Sequence, residues 1–262
     1  MDLNINIKII ILIVIIYMYF VYMKQYIIME NHIKMFPSYK TILYHYNLLK
    51  IKQYINNDCR LISDGKIIYI RNFLNNNLFK ILKEKSNNLN YFRSNVPNRK
   101  GGAISKFDLT KLYLNNDFVE PLNLYYSDEF LFFINKLLNK KLIYPSAIDA
   151  NCCSIIIYDK PGDYIGWHFD FNAYYGDRYT ILLTLYNNSS SQFCYNENYL
   201  KTEENSLLIF NGSNLKHLAS PIKSGEKRIL LAMTLCNGGV LKFNIINLII
   251  ENIKEFIFYG IS

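Results

Sequence analysis

Three side chains in the second half of the chain have the types and spacing of a metal site. His168 and Asp170 stand two residues apart in the run Trp-His-Phe-Asp, and residues i and i+2 of a β-strand share a face. His217 follows a second strand-like run, SLLIF, and a short turn. A separate strand can therefore bring His217 to the same point. Two imidazoles and one carboxylate on a common face predict a site for a divalent metal.

The surroundings of this pattern make iron the favoured metal. Two histidines and one carboxylate form the facial triad of non-haem Fe(II) oxygenases, which leaves coordination positions open for a bidentate co-substrate and dioxygen. A basic pair, Lys227-Arg228, opens an apolar strand after Pro221 and Gly225. A buried cation there needs an anionic partner, and a planar guanidinium binds a carboxylate through two parallel hydrogen bonds.

These residues lie in a region whose pattern predicts a β-barrel. From Leu142 onward, short runs rich in β-branched and aromatic residues alternate with polar turns: CCSIIIYD, YIGWHFDF, YTILLTLYN, NSLLIFNG and KRILLAMTLC. Short strands at this spacing favour an all-β sandwich or barrel. Upstream, the pattern predicts a strand over 67–70, a helix with Leu78, Ile81 and Leu82 on one face, and a helix capped by Ser127. The predicted fold is mainly β with flanking helices.

The first residues of the chain read as a membrane segment. Ile9 to Met23 contains no charged residue, and residues 24–29 can extend it toward the roughly 20 residues that a spanning helix needs. No small-x-small cleavage site follows it, so an uncleaved signal-anchor over 1–29 is favoured, with a cleaved secretory signal second and a buried helix third. We expect a connector over 30–65, the metal-binding domain over 66–238 and an amphipathic helix over 239–262. The expected location is a single-pass anchor in an endomembrane.

Composition excludes several classes of protein. Of 262 residues, 51% are hydrophobic and 19% are charged, which excludes a disordered chain. The five cysteines have no CxxC spacing, which excludes a zinc ribbon or a disulfide framework. The formal net charge of +8 accompanies a composition rich in Ile, Asn, Lys and Tyr, so by itself it does not indicate nucleic-acid binding.

Residues 67–236 resemble the prolyl 4-hydroxylase-like branch of the 2-oxoglutarate/Fe(II) dioxygenases. The resemblance rests on the entry strand IIYIRNFL, the pattern Tyr158-x3-Gly162-Asp163, the His-Phe-Asp triplet, Arg178 with the strand that ends at Asn187, and H-x3-P-x3-G-x-K-R from His217 to Arg228. It implies a double-stranded β-helix, or jelly-roll barrel, with helices along one side. It also implies an enzyme that uses Fe(II), 2-oxoglutarate and dioxygen, with ascorbate as a reductant, to hydroxylate a protein or small-molecule substrate such as peptidyl proline.

The resemblance assigns roles to single residues. His168, Asp170 and His217 would hold the iron, Arg228 would pair with the distal carboxylate of 2-oxoglutarate, and Tyr158 would offer that carboxylate a hydroxyl. The family commonly has its cation one place earlier, at Lys227, which is therefore the alternative. Arg228 is preferred for its bidentate geometry and because this register turns the small Ala232 inward. The segment NNSSSQFCYN replaces the family's usual Gly-Gly-Glu, so the resemblance does not extend to the substrate-binding loop.

The sequence predicts the roles of other side chains near the triad less specifically. Trp167, Tyr174, Tyr175 and Tyr179 flank the expected opening of the barrel and could stack on a substrate, but clustered aromatic residues in a barrel more often belong to its core. Arg178 could contact an acidic group of the substrate, although an arginine at the start of a strand is more commonly exposed.

Three alternatives share the triad. An AlkB-type nucleic-acid demethylase would typically carry a second arginine six residues after the first, where this chain has Thr234, and we identify no nucleotide-recognition lid. Nucleic acid is therefore not an expected partner. A non-enzymatic β-barrel module could keep the triad as a structural zinc site. An inactive, membrane-tethered interaction protein is the third alternative, and retention of the triad together with a cation argues against it.

Overall fold

The computed structural model describes residues 16, 54–56, 59–89, 105–107, 112, 118–145 and 149–238. The predicted membrane anchor, apart from residue 16, the first part of the connector and the predicted C-terminal helix lie outside these residues. Among the described residues, no helix has both the length and the apolar character needed to cross a membrane.

Among the described residues, β-strands are more numerous than helices, and the helices precede the main run of strands. In chain order the elements are β1 (Arg60–Ser63), β2 (Ile67–Arg71), α1 (Asn76–Asn87), β3 (Ser105–Phe107), α2 (Glu120–Tyr125), α3 (Asp128–Leu138), β4 (Cys153–Tyr158), β5 (Ile165–His168), β6 (Arg178–Asn187), β7 (Phe193–Tyr195), β8 (Asn198–Leu200), β9 (Ser206–Asn211), β10 (His217–Ala219) and β11 (Arg228–Cys236).

The strands form two antiparallel sheets. The larger has the order β1-β2-β9-β6-β11-β4-β3, and the smaller has the order β5-β10-β7-β8. Buried clusters join the two sheets: Tyr69 and Phe210 of the larger sheet pack with Phe193 of the smaller one. This sandwich confirms the prediction of a mainly β, jelly-roll fold with flanking helices. The larger sheet begins at Arg60, within the segment predicted as a connector, because β1 pairs with β2 along its whole length.

Both faces of the larger sheet are covered, which explains its continuous apolar strands. All nine residues of β11 are buried. Ile229, Leu231, Met233 and Leu235 pack in the same core as helix residues such as Leu82 and Ile134. The alternate residues, from Arg228 to Thr234, lie on the opposite face, toward the smaller sheet, where Leu230 packs with Ala219 of β10. This inner face of the larger sheet, which points toward the smaller sheet, carries the candidate functional residue Arg228.

Side-chain caps fix the first residues of α1 and α3, and α3 begins where the sequence predicts. The Asn75 side chain accepts a hydrogen bond from the backbone N–H of Leu78 at the start of α1, and Ser127 caps α3 in the same way through Phe130. On α1 the buried residues are Leu78, Leu82 and Ser86. Ile81, which was predicted to share that face, is exposed, because it lies about 100° around the helix from the centre of the buried stripe.

Candidate metal centre

Two neighbouring strands of the smaller sheet bring the predicted metal ligands together. His168 ends β5 and His217 begins β10, and the two residues are direct partners across the antiparallel ladder. Asp170 lies two residues beyond His168, where its backbone N–H donates to the carbonyl of Gly212 at 2.8 Å. The candidate ligand atoms of the three side chains all lie within 4.8 Å of one another. The common face inferred from the sequence is therefore present in the structure.

Hydrogen bonds set the two imidazoles for metal binding. The Nδ1 atom of His168 lies 2.7 Å from the carbonyl oxygen of Gly166, and Nδ1 of His217 lies 2.9 Å from that of Leu215. Because a carbonyl oxygen only accepts, each Nδ1 carries a proton, and Nε2 is the ring nitrogen that faces Asp170. The Nε2 atoms lie 3.4 Å and 3.7 Å from Oδ1 of Asp170. Three candidate donor atoms thus converge on one point.

The carboxylate of Asp170 is held in its charged form. Burial raises its pKa, but the hydrogen bond with His168, the charge of His217 and the hydroxyl of Thr180 together outweigh burial, so the pKa of Asp170 is lowered from its ordinary value. An ionised carboxylate is the form that coordinates a cation.

The ligand cluster is accessible from one side. His168 and Asp170 are partly exposed, whereas His217 is buried. Four large aromatic side chains close to these residues in the chain are exposed: Trp167, Phe169, Phe171 and Tyr175. Tyr174 and Tyr179 are buried, and Tyr179 packs in the core beneath the helices. Tyr174 and Tyr179 therefore follow the expectation that clustered aromatic residues belong to the core, whereas Trp167 and Tyr175 remain candidates for the opening of the barrel.

Arg228 is a fully buried cation without a carboxylate partner among the described residues. Its Nη1 atom lies 3.4 Å from Oγ of Ser191 and its Nη2 atom 3.3 Å from Oγ1 of Thr202, and its Nε atom has no hydrogen-bond partner. Burial lowers the pKa of this guanidinium, partly offset by Tyr158, Cys194 and Tyr69. Since an uncompensated buried charge is costly, this position suits an anionic ligand.

Tyr158 and Lys227 occupy different positions relative to this cation. Tyr158 is buried on β4 as the direct partner of Arg228, and the guanidinium carbon lies 5.7 Å from the centre of its ring. Lys227 precedes β11 and is only partly buried, and its backbone N–H donates to Asn188. The structure thus brings Arg228 and Tyr158, and not Lys227, into the interior between the sheets.

Sequence reasoning missed part of the support for the ligands. Arg178, expected at the surface, is buried in an ion pair with Asp149 at 3.2 Å, and it donates to the carbonyl of Phe171 at 2.6 Å. Thr180, on the same face of β6, donates to Asp170. The i, i+2 spacing of Arg178 and Thr180 at the start of a predicted strand is the signal that could have indicated a shared inner face.

Known proteins resemble this chain in structure and not in sequence. No protein-family model and no curated protein matches it. An oxidoreductase of the 2OG-Fe(II) oxygenase family from Burkholderia pseudomallei is 12% identical to this chain, with a TM-score of 0.53. The match covers 69% of this chain and 90% of the Burkholderia chain. A prolyl hydroxylase from Trichoplax adhaerens is 16% identical to this chain, with a TM-score of 0.51. The match covers 66% of this chain and 84% of the Trichoplax chain, whose structure is a complex with a peptide fragment of the hypoxia inducible factor oxygen degradation domain. The chain has the fold of these oxygenases.

Proposed function

We propose that this protein is an Fe(II)- and 2-oxoglutarate-dependent dioxygenase that hydroxylates its substrate. The observation that carries the proposal is Arg228, a buried guanidinium without a carboxylate partner among the described residues, in a barrel that also presents a His-Asp-His cluster. A metal site alone would not require this cation. A diacid that binds the metal at one end and the guanidinium at the other would account for both features.

His168, Asp170 and His217 would hold the iron. The donor set fits, because two imidazole nitrogens and one ionised carboxylate are the ligands that Fe(II) takes in such enzymes. When bound, the iron and dioxygen would supply the oxidising chemistry that turns 2-oxoglutarate into succinate and CO2 and hydroxylates a C–H bond, with ascorbate as a reductant. The protein fixes the three donors on one side and leaves the other side open.

Arg228 and Tyr158 would bind the distal carboxylate of 2-oxoglutarate. The hydroxyls of Ser191 and Thr202 lie at the two Nη atoms and would hold the guanidinium plane in a fixed orientation. The apolar side chains of Ala219, Ile222 and Leu230 pack together next to Tyr158, which would exclude water. In such surroundings a charge-assisted hydrogen bond to a carboxylate is stronger than in solvent.

The substrate would approach from the side on which His168 and Asp170 are partly exposed. We propose a protein or small molecule, with peptidyl proline as one member of that class. The support for a peptide is the Trichoplax adhaerens structure of similar fold, which holds a peptide fragment. The departure from the family pattern at 187–196 argues for testing other substrates in parallel.

A structural zinc module is the alternative to an enzyme. Structural zinc sites are closed by four protein ligands, whereas catalytic metal sites keep an open position. The described residues offer three clustered donors, and two of them are partly exposed, which favours catalysis.

An AlkB-type demethylase is the other alternative. Thr234 stands where its second arginine is expected, and the hydroxyl of Thr234 interacts with Arg178 and with the carbonyl of Cys152.

The test is turnover of 2-oxoglutarate with Fe(II), ascorbate and dioxygen, measured as succinate, with and without panels of peptides and metabolites. We expect the wild-type chain to form succinate and the His168→Ala and Asp170→Ala variants to form none. Glu197→Ala, which removes an exposed carboxylate from the β7–β8 turn, is the control and should match the wild type. Succinate formation at the wild-type rate in either ligand variant would refute the site assignment. Metal analysis that finds zinc, unaffected by 2-oxoglutarate, would instead support the structural module.

The membrane anchor over 1–29 stays part of the proposal. Its support is the uncharged run from Ile9 to Met23. Fractionation of cells that express the full chain, with and without residues 1–29, tests it. The expected result is that only the full chain remains with membranes after carbonate extraction.

A further inference from the structure

The two carboxylate oxygens of Asp170 have different neighbours. Oδ1 faces the Nε2 atoms of His168 and His217, at 3.4 Å and 3.7 Å. Oδ2 accepts a hydrogen bond from the hydroxyl of Thr180 at 2.5 Å. One oxygen is thus available to a metal, and the other is occupied by the protein.

Directly after β9, the backbone passes close to Asp170 and Thr180, and this close approach depends on Gly212. Its carbonyl accepts from the backbone N–H of Asp170, and its own N–H donates to the carbonyl of Arg178. A Cβ atom at position 212 would overlap both Oδ2 of Asp170 and Oγ1 of Thr180. The backbone between β9 and β10 therefore closes over the side of the carboxylate that carries Oδ2, and only glycine leaves room for it.

We propose that Thr180 is a positioning residue that, with Gly212, restricts Asp170 to binding the metal through Oδ1 alone. This inference rests on the proposed function. A six-coordinate metal with three protein donors keeps three positions, which a bidentate co-substrate and dioxygen would fill. A carboxylate bound through both oxygens would take one of these positions. The Thr180 hydroxyl prevents this because it engages Oδ2 and fixes the rotation of the carboxylate plane.

The experiment is a titration of the purified apoprotein with Co(II), followed by calorimetry and by visible absorption, which reports the coordination number. Thr180→Val keeps the shape of the side chain and removes the hydroxyl, whereas Thr180→Ser keeps the hydroxyl. Thr184→Val is the matched control, because Thr184 is buried on the same face of β6 and its hydroxyl interacts with Ser206 and not with Asp170.

We expect Thr180→Val to bind Co(II) about 10- to 100-fold more weakly and with an altered visible spectrum, while Thr180→Ser and Thr184→Val match the wild type. Wild-type affinity and spectrum in Thr180→Val would overturn the inference and leave the proposed function intact. A wild-type chain that binds no Co(II) would overturn both. If circular dichroism shows that Thr180→Val is unfolded, Thr180→Ala gives the same comparison, because it removes the hydroxyl and adds no bulk.

Discussion

Arg228 and Tyr158 are direct partners across β11 and β4, and the arginine's guanidinium carbon lies 5.7 Å from the centre of the tyrosine ring. The ring offers a cation–π contact, but it carries no charge to neutralise the guanidinium. The buried guanidinium is therefore costly to the free protein, and under the proposed function 2-oxoglutarate would supply its anionic partner. Stability and binding should respond to its replacement in opposite directions.

Replacing Arg228 with Met should stabilise the ligand-free protein and weaken its response to 2-oxoglutarate. Removing an unpaired buried charge in favour of an apolar side chain should raise the free energy of unfolding by about 1–3 kcal/mol. The loss of the charge-assisted hydrogen bonds should weaken the binding of 2-oxoglutarate by about 10- to 100-fold, and so reduce the stabilisation that 2-oxoglutarate produces. Thermal unfolding with and without 2-oxoglutarate and a metal measures both effects. Lys227→Met is the control, and an equal loss of response there would show that Lys227 is the cation that binds.

Replacing Tyr158 with Phe should also weaken the binding of 2-oxoglutarate, but by less than the replacement of Arg228. The substitution keeps the ring beneath Arg228 and removes only the hydroxyl, so the fold should be retained. A single neutral hydrogen-bond donor contributes about 0.5–1.5 kcal/mol, which corresponds to a rise of roughly 2- to 10-fold in the KM for 2-oxoglutarate with little change in kcat. An unchanged KM would show that Tyr158 contributes to packing and not to the binding of 2-oxoglutarate.

The candidate metal ligands could be predicted from the sequence because their grouping is mostly local. The i, i+2 spacing of His168 and Asp170 predicts a shared face, which the structure keeps although Asp170 lies two residues beyond the end of β5. A single pairing of β5 with β10 adds His217. The inward position of Arg228 could be predicted by the same reasoning, since Arg228 and Ala232 share a face of β11. Thr180 and Gly212 were missed because their contact with Asp170 depends on the register of β6 against β9, residues that are far apart in the chain. Pairings of this kind follow from the packing of the whole sandwich and leave no short motif.

Substitution of Gly212 with Ala should impair metal binding more than folding. The added Cβ would displace the carboxylate of Asp170 or the hydroxyl of Thr180, and neither can move without disturbing the ligand geometry. We expect Co(II) affinity to fall at least about 10-fold. Gly65→Ala is the control: it adds a Cβ where nothing lies within 4 Å, at a residue with φ of +82°, so backbone strain lowers stability by about 1–2 kcal/mol and leaves Co(II) binding unchanged. If both variants bind equally, Gly212 has no part in holding Asp170.

Breaking the buried pair of Arg178 and Asp149 should destabilise the protein strongly. Both residues are at least nine-tenths buried, and Arg178 also donates to the carbonyl of Phe171, directly after Asp170. Asp149→Asn would leave a buried arginine without its carboxylate, which costs about 3–5 kcal/mol. The exposed pair of Arg71 and Glu203 offers a matched comparison, because Glu203→Gln should change stability by less than about 1 kcal/mol. Urea unfolding of the apoprotein measures both variants. If they lose the same small amount, burial does not strengthen the Arg178–Asp149 pair, and the segment that carries Asp170 must be held in place mainly by Thr180 and Gly212.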